Sequence, residues 1–337
     1  MLEPLIIRVM REFKRALLTR EAARVNRLVR AWMRLDRALE ADIEALAEEI
    51  ALERAAGQEP SEGKLLRKEC YVRLLAQVRA EIARYEGAAE RLIRDGQAEM
   101  VRLGVGHAQA VIRAGYETAG VRGHFDRLPV EAVEYMVGST ADGGPLFGVL
   151  ERRALAPDAV EGLTEALIDA TARGWNPRKS ARAMQDGLAQ GLQKALVIAR
   201  TEQLRVYRVA TDAQYRASGV VQGKRRLATR DTRTCLACLA MDGEYIPLDK
   251  PMYDHPQGRC TAVPILDGLP DVDWQRGPEW FASLSSETQR AMMGPKRYAA
   301  WRQGDFAFRD LATVTEDPVW GSGLRVTPAY RLVGASA

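Results

Sequence analysis

Three of the four cysteines fall within 26 residues, and a histidine stands among them. Cys235 and Cys238 form a C-x2-C pair. After sixteen intervening residues comes His255, and Cys260 follows it as H-x4-C. A C-x2-C turn places two thiolates on one side of a tight knuckle, and a second pair arriving later can complete a tetrahedron around zinc. Four such ligands close the site and leave no position for a reactive water, which points to a structural metal. The competing reading is a set of reduced thiols in a small core, with His255 on a loop. A redox C-x2-C is disfavoured because no alternating strand–helix pattern surrounds it. A zinc deaminase is disfavoured because none of the three histidines begins an H-x-E sequence.

The elements that must position these residues are mostly helical. Apolar residues make up 47% of the 337-residue chain and charged residues 28%, while aromatics are only 7%. With abundant Ala, Leu and Arg, that mixture favours helix over sheet. Leu5, Val9, Phe13 and Leu17, then Val25, Leu28, Trp32, Leu35, Leu39, Ile43, Leu46 and Ile50, recur at steps of three and four and define one helical stripe. Gly57–Gly63 breaks it. A second stripe follows at Leu66, Cys70, Leu74, Val78, Ile82, Tyr85, Ala89 and Leu92. The two predict an antiparallel hairpin in which each helix buries the other's apolar face. Gly104 and Gly106 predict an end to the second helix, and a shorter helix is expected over His107–Ala119.

Gly138–Gly148 is turn-rich and reads as a boundary. Beyond it, helices are expected over Pro157–Arg173, Pro177–Gly187 and Gln193–Ser218, with Gly174 and Pro177 punctuating as C-cap and first-turn residues. Short strands are expected near Lys224–Thr229, Glu244–Ile246 and Thr261–Ile265. After them come helices over Ser285–Met293 and Pro295–Gln303, then a polar tail. The fold class is therefore mainly α with a small α+β Cys-rich C-terminal unit and a long N-terminal helical hairpin. The expected organisation is a partner-binding helical region at 1–137, a central domain with the Cys/His knuckle at 155–266, and an extended tail with short helices at 267–337.

Net charge is only +4, but it is unevenly spread. Arg8–Arg37 holds ten bases and three acids, Glu40–Glu53 six acids and no base, and Arg200–Arg233 nine bases and three acids. Such asymmetry suits an electrostatically specified partner. Within the last stretch, Lys224, Arg225, Arg226 and Arg230 are the candidates for contact with double-stranded DNA. No apolar run reaches the roughly 20 residues of a membrane span, and no signal-peptide pattern opens the chain. Synthesis in a host cytoplasm is the expectation, where paired cysteines more often hold metal than form disulfides.

In sequence order, the residues around the knuckle resemble a known family. Ala199-Arg200-Thr201-Glu202 on a helix is followed by Tyr207 and Ala210, Gly219-Val220-Val221, Lys224 and Ala228-Thr229. Asp231-x-Arg233-Thr234-Cys235-x-x-Cys238, Asp242-Gly243, His255-Pro256 and Arg259-Cys260 come next, closing at Pro264. This order resembles the head morphogenesis domain of phage Mu F-like proteins and related minor head proteins of tailed phages, over about Leu155–Pro264. The later Trp280-Phe281, Gln289, Met293-Gly294-Pro295, Trp301–Gly304 and Trp320-Gly321 resemble the tail seen after that domain. The family pattern commonly ends in Cys-Arg-Cys, where this chain has Gly258-Arg259-Cys260.

The resemblance implies a minor structural head protein that binds portal and capsid proteins during assembly, resides in the virion, and aids DNA packaging or delivery. It implies no small-molecule substrate. No Ser/His/Asp set, paired carboxylates or phosphate loop emerges, so the chain is expected not to be an enzyme. The alternatives are a DNA-binding zinc-knuckle module and, less favoured, a toxin or enzyme carried by a head-morphogenesis domain. Within the motif, Arg200 and Glu202 lie two apart on a helix and cannot pair with each other. Arg200 is expected to bridge to Asp231 or Asp242 of the Cys-rich unit, and Thr201 to bond locally.

Overall fold

A computed structural model describes residues 4–58, 61–140, 143–317 and 320–332. The expected breaks at Gly57–Gly63 and Gly138–Gly148 lie partly outside these ranges. Helix α1 (Leu5–Ala55) and helix α3 (Glu69–Thr118) are joined through the single turn α2 (Glu62–Leu65). Their partners run in opposite senses: Phe13 stacks on His107, Arg20 pairs with Glu99, Trp32 meets Tyr85 edge-on, and Glu49 pairs with Lys68. The expected hairpin is therefore present. The apolar stripe from Val25 to Ile50 is buried along its length.

One expectation about α3 is corrected. Gly104 and Gly106 do not end it; the helix runs through both. The role of Gly104 is space. A Cβ there would stand 2.6 Å from the Tyr207 carbonyl oxygen and 2.9 Å from the Ala210 Cβ, so only glycine lets α3 approach the helix carrying Tyr207 so closely.

By its internal contacts the chain divides into two units. The first comprises Met1–Arg20, Gln97–Gly144 and Thr201–Ala337, and the second Glu21–Gly96 and Pro145–Arg200. A 3-10 turn spans Val130–Met136 in the first unit and α4 spans Val149–Arg152 in the second. The second unit also holds α5 (Leu155–Ala172) and α6 (Pro177–Leu188). Asn176 caps α6 by accepting from the Lys179 amide at 2.9 Å, and Pro177 takes the first turn, as the sequence predicts. Gly162 and Gly187 let α5 and α6 touch backbone to backbone. Helix α7 (Gln190–Ala217) follows.

The first unit contains the small sheet. Strand β1 (Val221–Leu227) is central, with β2 (Tyr245–Ile246) and β3 (Thr261–Leu266) antiparallel on either side. Lys224 sits opposite both Ile246 and Pro264. Pro264 is tolerated because β3 is an edge strand and needs no donor outward. All three strands fall where the sequence placed them, within a few residues. Helix α8 (Leu236–Ala240) begins at the knuckle.

The segment after β3 departs further from expectation. Helices α9 (Gly277–Ala282), α10 (Ser286–Met293) and α11 (Pro295–Gln303) are followed by a 3-10 turn at Phe308–Leu311. The region expected to be a polar tail then forms the hairpin β4 (Ala312–Asp317) and β5 (Gly321–Val326), and α12 (Ala329–Leu332). Its hydrophobic residues are few and widely spaced, so no period marks them in sequence. Phe281, Met293, Phe306, Leu311, Leu324 and Leu332 nonetheless bury against Leu236, Ala237, Cys238, Leu239 and Cys260 in one core. Each fully buried large apolar side chain contributes about 1.5–3 kcal/mol. The Cys-rich segment thus has a core, supplied from outside itself.

Candidate metal centre

The knuckle is built by a helix start. Cys235 is the N-cap of α8, and its Sγ accepts from the Cys238 amide at 3.3 Å. That bond turns both thiols to one side. The approach to the knuckle is fixed by Asp231, whose Oδ1 accepts from the Arg233 amide at 3.0 Å and the Thr234 hydroxyl at 2.9 Å. Asp231 also receives both Arg259 guanidinium nitrogens, at 2.7 and 2.8 Å. This bidentate pair ties the 231–234 turn to the residue preceding Cys260.

His255 and Cys260 arrive from the loop entering β3. The His255 Nδ1 faces the Pro256 carbonyl at 2.8 Å, which favours a proton on Nδ1, while the side chain also meets Cys235 and its Nε2 lies 3.9 Å from the Asp254 Oδ1. Gln257 donates its amide to the Thr201 hydroxyl at 3.0 Å, and Arg208 donates to the Gly258 carbonyl at 2.9 Å. Helix α7 therefore holds this loop at two points.

The four predicted ligands converge. Cys235, Cys238 and His255 form one triad and Cys238, Cys260 and Asp254 a second, with the donor atoms of each triad within 4.8 Å of one another. The two share Cys238. Such a cluster can hold a metal ion. Cys238 and Cys260 are buried, while Cys235 and His255 are partly exposed.

The electrostatics favour anionic sulfur. The Cys235 thiol is pulled down to about 5, first by the Cys238 side chain and then by His255. His255 is raised in turn to about 9, chiefly by Cys235 and also by Asp254. Cys260 falls to about 7 through Cys238, helped by Arg226 and Lys14. Cys238 is pushed up, since its two sulfur neighbours already carry the charge and it is buried. Burial opposes the charge on Arg226, yet Cys260, Asp254 and Cys238 outweigh it and raise its pKa. Arg226 is a buried cation that favours thiolate among the three thiols, and Lys14, whose own pKa burial lowers, adds to it where it is charged.

Several site expectations are corrected here. Arg200 pairs with Glu21 of α1 at 2.9 Å, and Glu202 with Arg205. Asp231 is taken by Arg259, and Asp242 accepts from the Ala228 amide at 2.8 Å. The bridge from α7 to the Cys-rich segment is made by Thr201 and Arg208 instead, through the Gln257 amide and the Gly258 carbonyl. Of the four cations suggested for DNA, Lys224 and Arg226 are interior and Arg225 and Arg230 partly exposed. The Lys224 side chain is 0% exposed and pairs with Asp212 at 2.5 Å. Arg226 is buried, donating to the Tyr253 carbonyl. Strand alternation does not separate them from the interior, since buried residues occur at both parities of β1. Arg225 pairs with Asp271, and Arg230 donates to the Gln275 carbonyl.

Residues 161–263 match the family model described as Phage Mu protein F like protein. This is the segment from α5 to β3, and it contains all four predicted ligands. The match agrees with the resemblance seen in the motif order and supports a role in phage head morphogenesis. Comparison with curated proteins and with solved structures gave no match. Among the described residues, no helix is long and apolar enough to cross a membrane.

Sequence reasoning missed Asp254, Arg208, Lys14 and the significance of Gly258. Asp254 adjoins His255 and could have been noticed on that ground. Nothing in the spacing brings Lys14, 213 residues away from Leu227 whose carbonyl it meets at 3.0 Å, into the neighbourhood.

Proposed function

We propose that this chain is a minor structural head protein of a tailed phage that binds portal and capsid proteins during assembly. Its role on this reading is structural rather than catalytic, and its Cys/His cluster carries one zinc ion. The observation that carries the proposal is the family match over the segment that houses the cluster. Zinc is the ion favoured by a donor set of thiolates and imidazole. Cys235, Cys238, Cys260 and His255 would hold it. It would supply a cross-link between the start of α8 and the strand entry at Cys260, in a region whose core is shared among short elements.

Assembly in a host cytoplasm and residence in the virion follow from this role. The experiment is affinity purification of the tagged chain from phage-infected cells, with mass spectrometry of purified virions. Recovery of the portal protein and a few copies of this chain per particle is expected. Absence from both would reject the role. The alternative of a DNA-binding module is less favoured, because its two central cations, Lys224 and Arg226, are interior.

A further inference from the structure

We infer that the Asp254 carboxylate is itself a metal ligand of this centre, and that residue 258 is glycine to make room for it. The inference rests on the metal-centre reading above. Asp254 lies within 4.8 Å of the sulfurs of Cys238 and Cys260, and its Oδ1 is 3.7 Å from the Cys238 Sγ. Its side chain is 2% exposed. Its Oδ2 accepts no hydrogen bond. A buried carboxylate oxygen that accepts no hydrogen bond is rare and calls for a donor or a metal ion.

The nearby guanidinium groups supply charge but no hydrogen bond to Oδ2. Arg208 stands 3.3 Å from Oδ2 and Arg226 3.8 Å from Oδ1, and Arg226 itself retains a buried nitrogen without a partner. The contrast is Asp231, which Arg259 grips at 2.7 and 2.8 Å. In Asp254, Oδ1 accepts from the His255 amide at 3.0 Å and from the Cys238 thiol at 3.7 Å, while Oδ2 has only the charge of Arg208 beside it. Oδ2 is therefore the oxygen left to meet an ion.

Gly258 supplies the independent geometric argument. It is not among the residues with positive φ, so no backbone conformation demands glycine there. A Cβ at 258 would instead fall 2.1 Å from the Asp254 Cγ and 2.2 and 2.3 Å from its two oxygens. The carboxylate occupies the volume that any side chain at 258 would fill. Residues 254 and 258 thus share one place beside Cys260, and in this chain the carboxylate takes it. Three thiolates, an imidazole and an oxygen donor then surround the ion.

The test uses the full chain, titrated with zinc against a chromophoric chelator and with cobalt(II) followed by absorption. Asp254→Asn keeps the shape and the acceptor for the His255 amide but weakens the donor. Its zinc affinity should fall by more than the roughly 10- to 100-fold that loss of a mere outer partner of a ligand costs, and its cobalt ligand-field bands should shift. The exchange Asp254→Gly with Gly258→Cys places a thiol in the vacated volume. It should restore tight binding and raise the sulfur-to-cobalt charge-transfer band by about one third, from three thiolates to four. Wild-type affinity and an unchanged cobalt spectrum in Asp254→Asn would overturn the inference alone. An exchange protein with no added charge-transfer intensity would overturn it too. A wild-type chain that binds neither metal would instead remove the parent reading, and this one with it.

Discussion

The buried pair of Lys224 and Asp212 gives a sharp test of how β1 is used. The Lys224 side chain is wholly buried, its ammonium 2.5 Å from the Asp212 carboxylate. Burial raises the Asp212 pKa while Lys224 draws it only part of the way back, so the pair does not fully offset its own desolvation. Asp212→Leu would leave an ammonium in the interior without its carboxylate, at a cost of about 3–5 kcal/mol. Lys224→Met should cost less, because a carboxyl already pushed up by burial can accept a proton. The double variant should lie within about 1–2 kcal/mol of wild type, since replacing both members of a buried pair is often near neutral. The coupling energy of the cycle should therefore exceed about 2 kcal/mol. Urea denaturation of the zinc-loaded chain, followed by circular dichroism, measures all four corners. An Asp212→Leu protein within about 1 kcal/mol of wild type would refute the reasoning. Lys224 would then reach solvent, and a phosphate-contacting role for β1 would return.

Three further outcomes are expected. Thr201→Val removes the hydroxyl that accepts from the Gln257 amide; it should cost about 1 kcal/mol in urea and weaken zinc binding, whereas Arg200→Ala should leave metal content unchanged. Asp231 is held down to about 2, first by Arg259. A depressed carboxyl stabilises the fold above its ordinary range near 4 and loses that contribution as pH falls towards 2. Asp231 is about one-third exposed, so the discounted effect is below about 1 kcal/mol, measured as the difference in urea stability between wild type and Asp231→Asn, which should close between pH 4 and 2. Gly187→Ala should destabilise the second unit by about 1–3 kcal/mol despite its better helix propensity, because its Cβ would stand 2.1 Å from the Gly162 carbonyl oxygen; a thermal melt at or above wild type would contradict this.

Helix-forming stripes were legible because their period is local. Val25–Ile50 shows every third or fourth residue turned inward, and the structure buries that row. The knuckle was legible for the same reason: Cys235 and Cys238 are three apart, and His255 and Cys260 share one loop. What escaped depends on partners distant in sequence. Gly104 reads as a helix breaker until Tyr207 is placed beside it. Lys224 and Arg226 read as a basic patch until Asp212 and the Tyr253 carbonyl are seen to receive them. The β4–β5 hairpin is too sparse in apolar residues to declare itself, though Leu324 completes the core around Cys238. Asp254 is the most instructive omission, since its meaning comes from the empty Cβ position at Gly258.

The central claim is that Cys235, Cys238, His255 and Cys260 hold an ion. Its most direct test is elemental analysis of the full chain, purified without added chelator, beside Cys235→Ser and Cys260→Ser. One equivalent of zinc per wild-type chain is predicted, with loss from both variants and a lowered urea midpoint. A wild-type chain that is folded, free of metal and no less stable in excess chelator would contradict it.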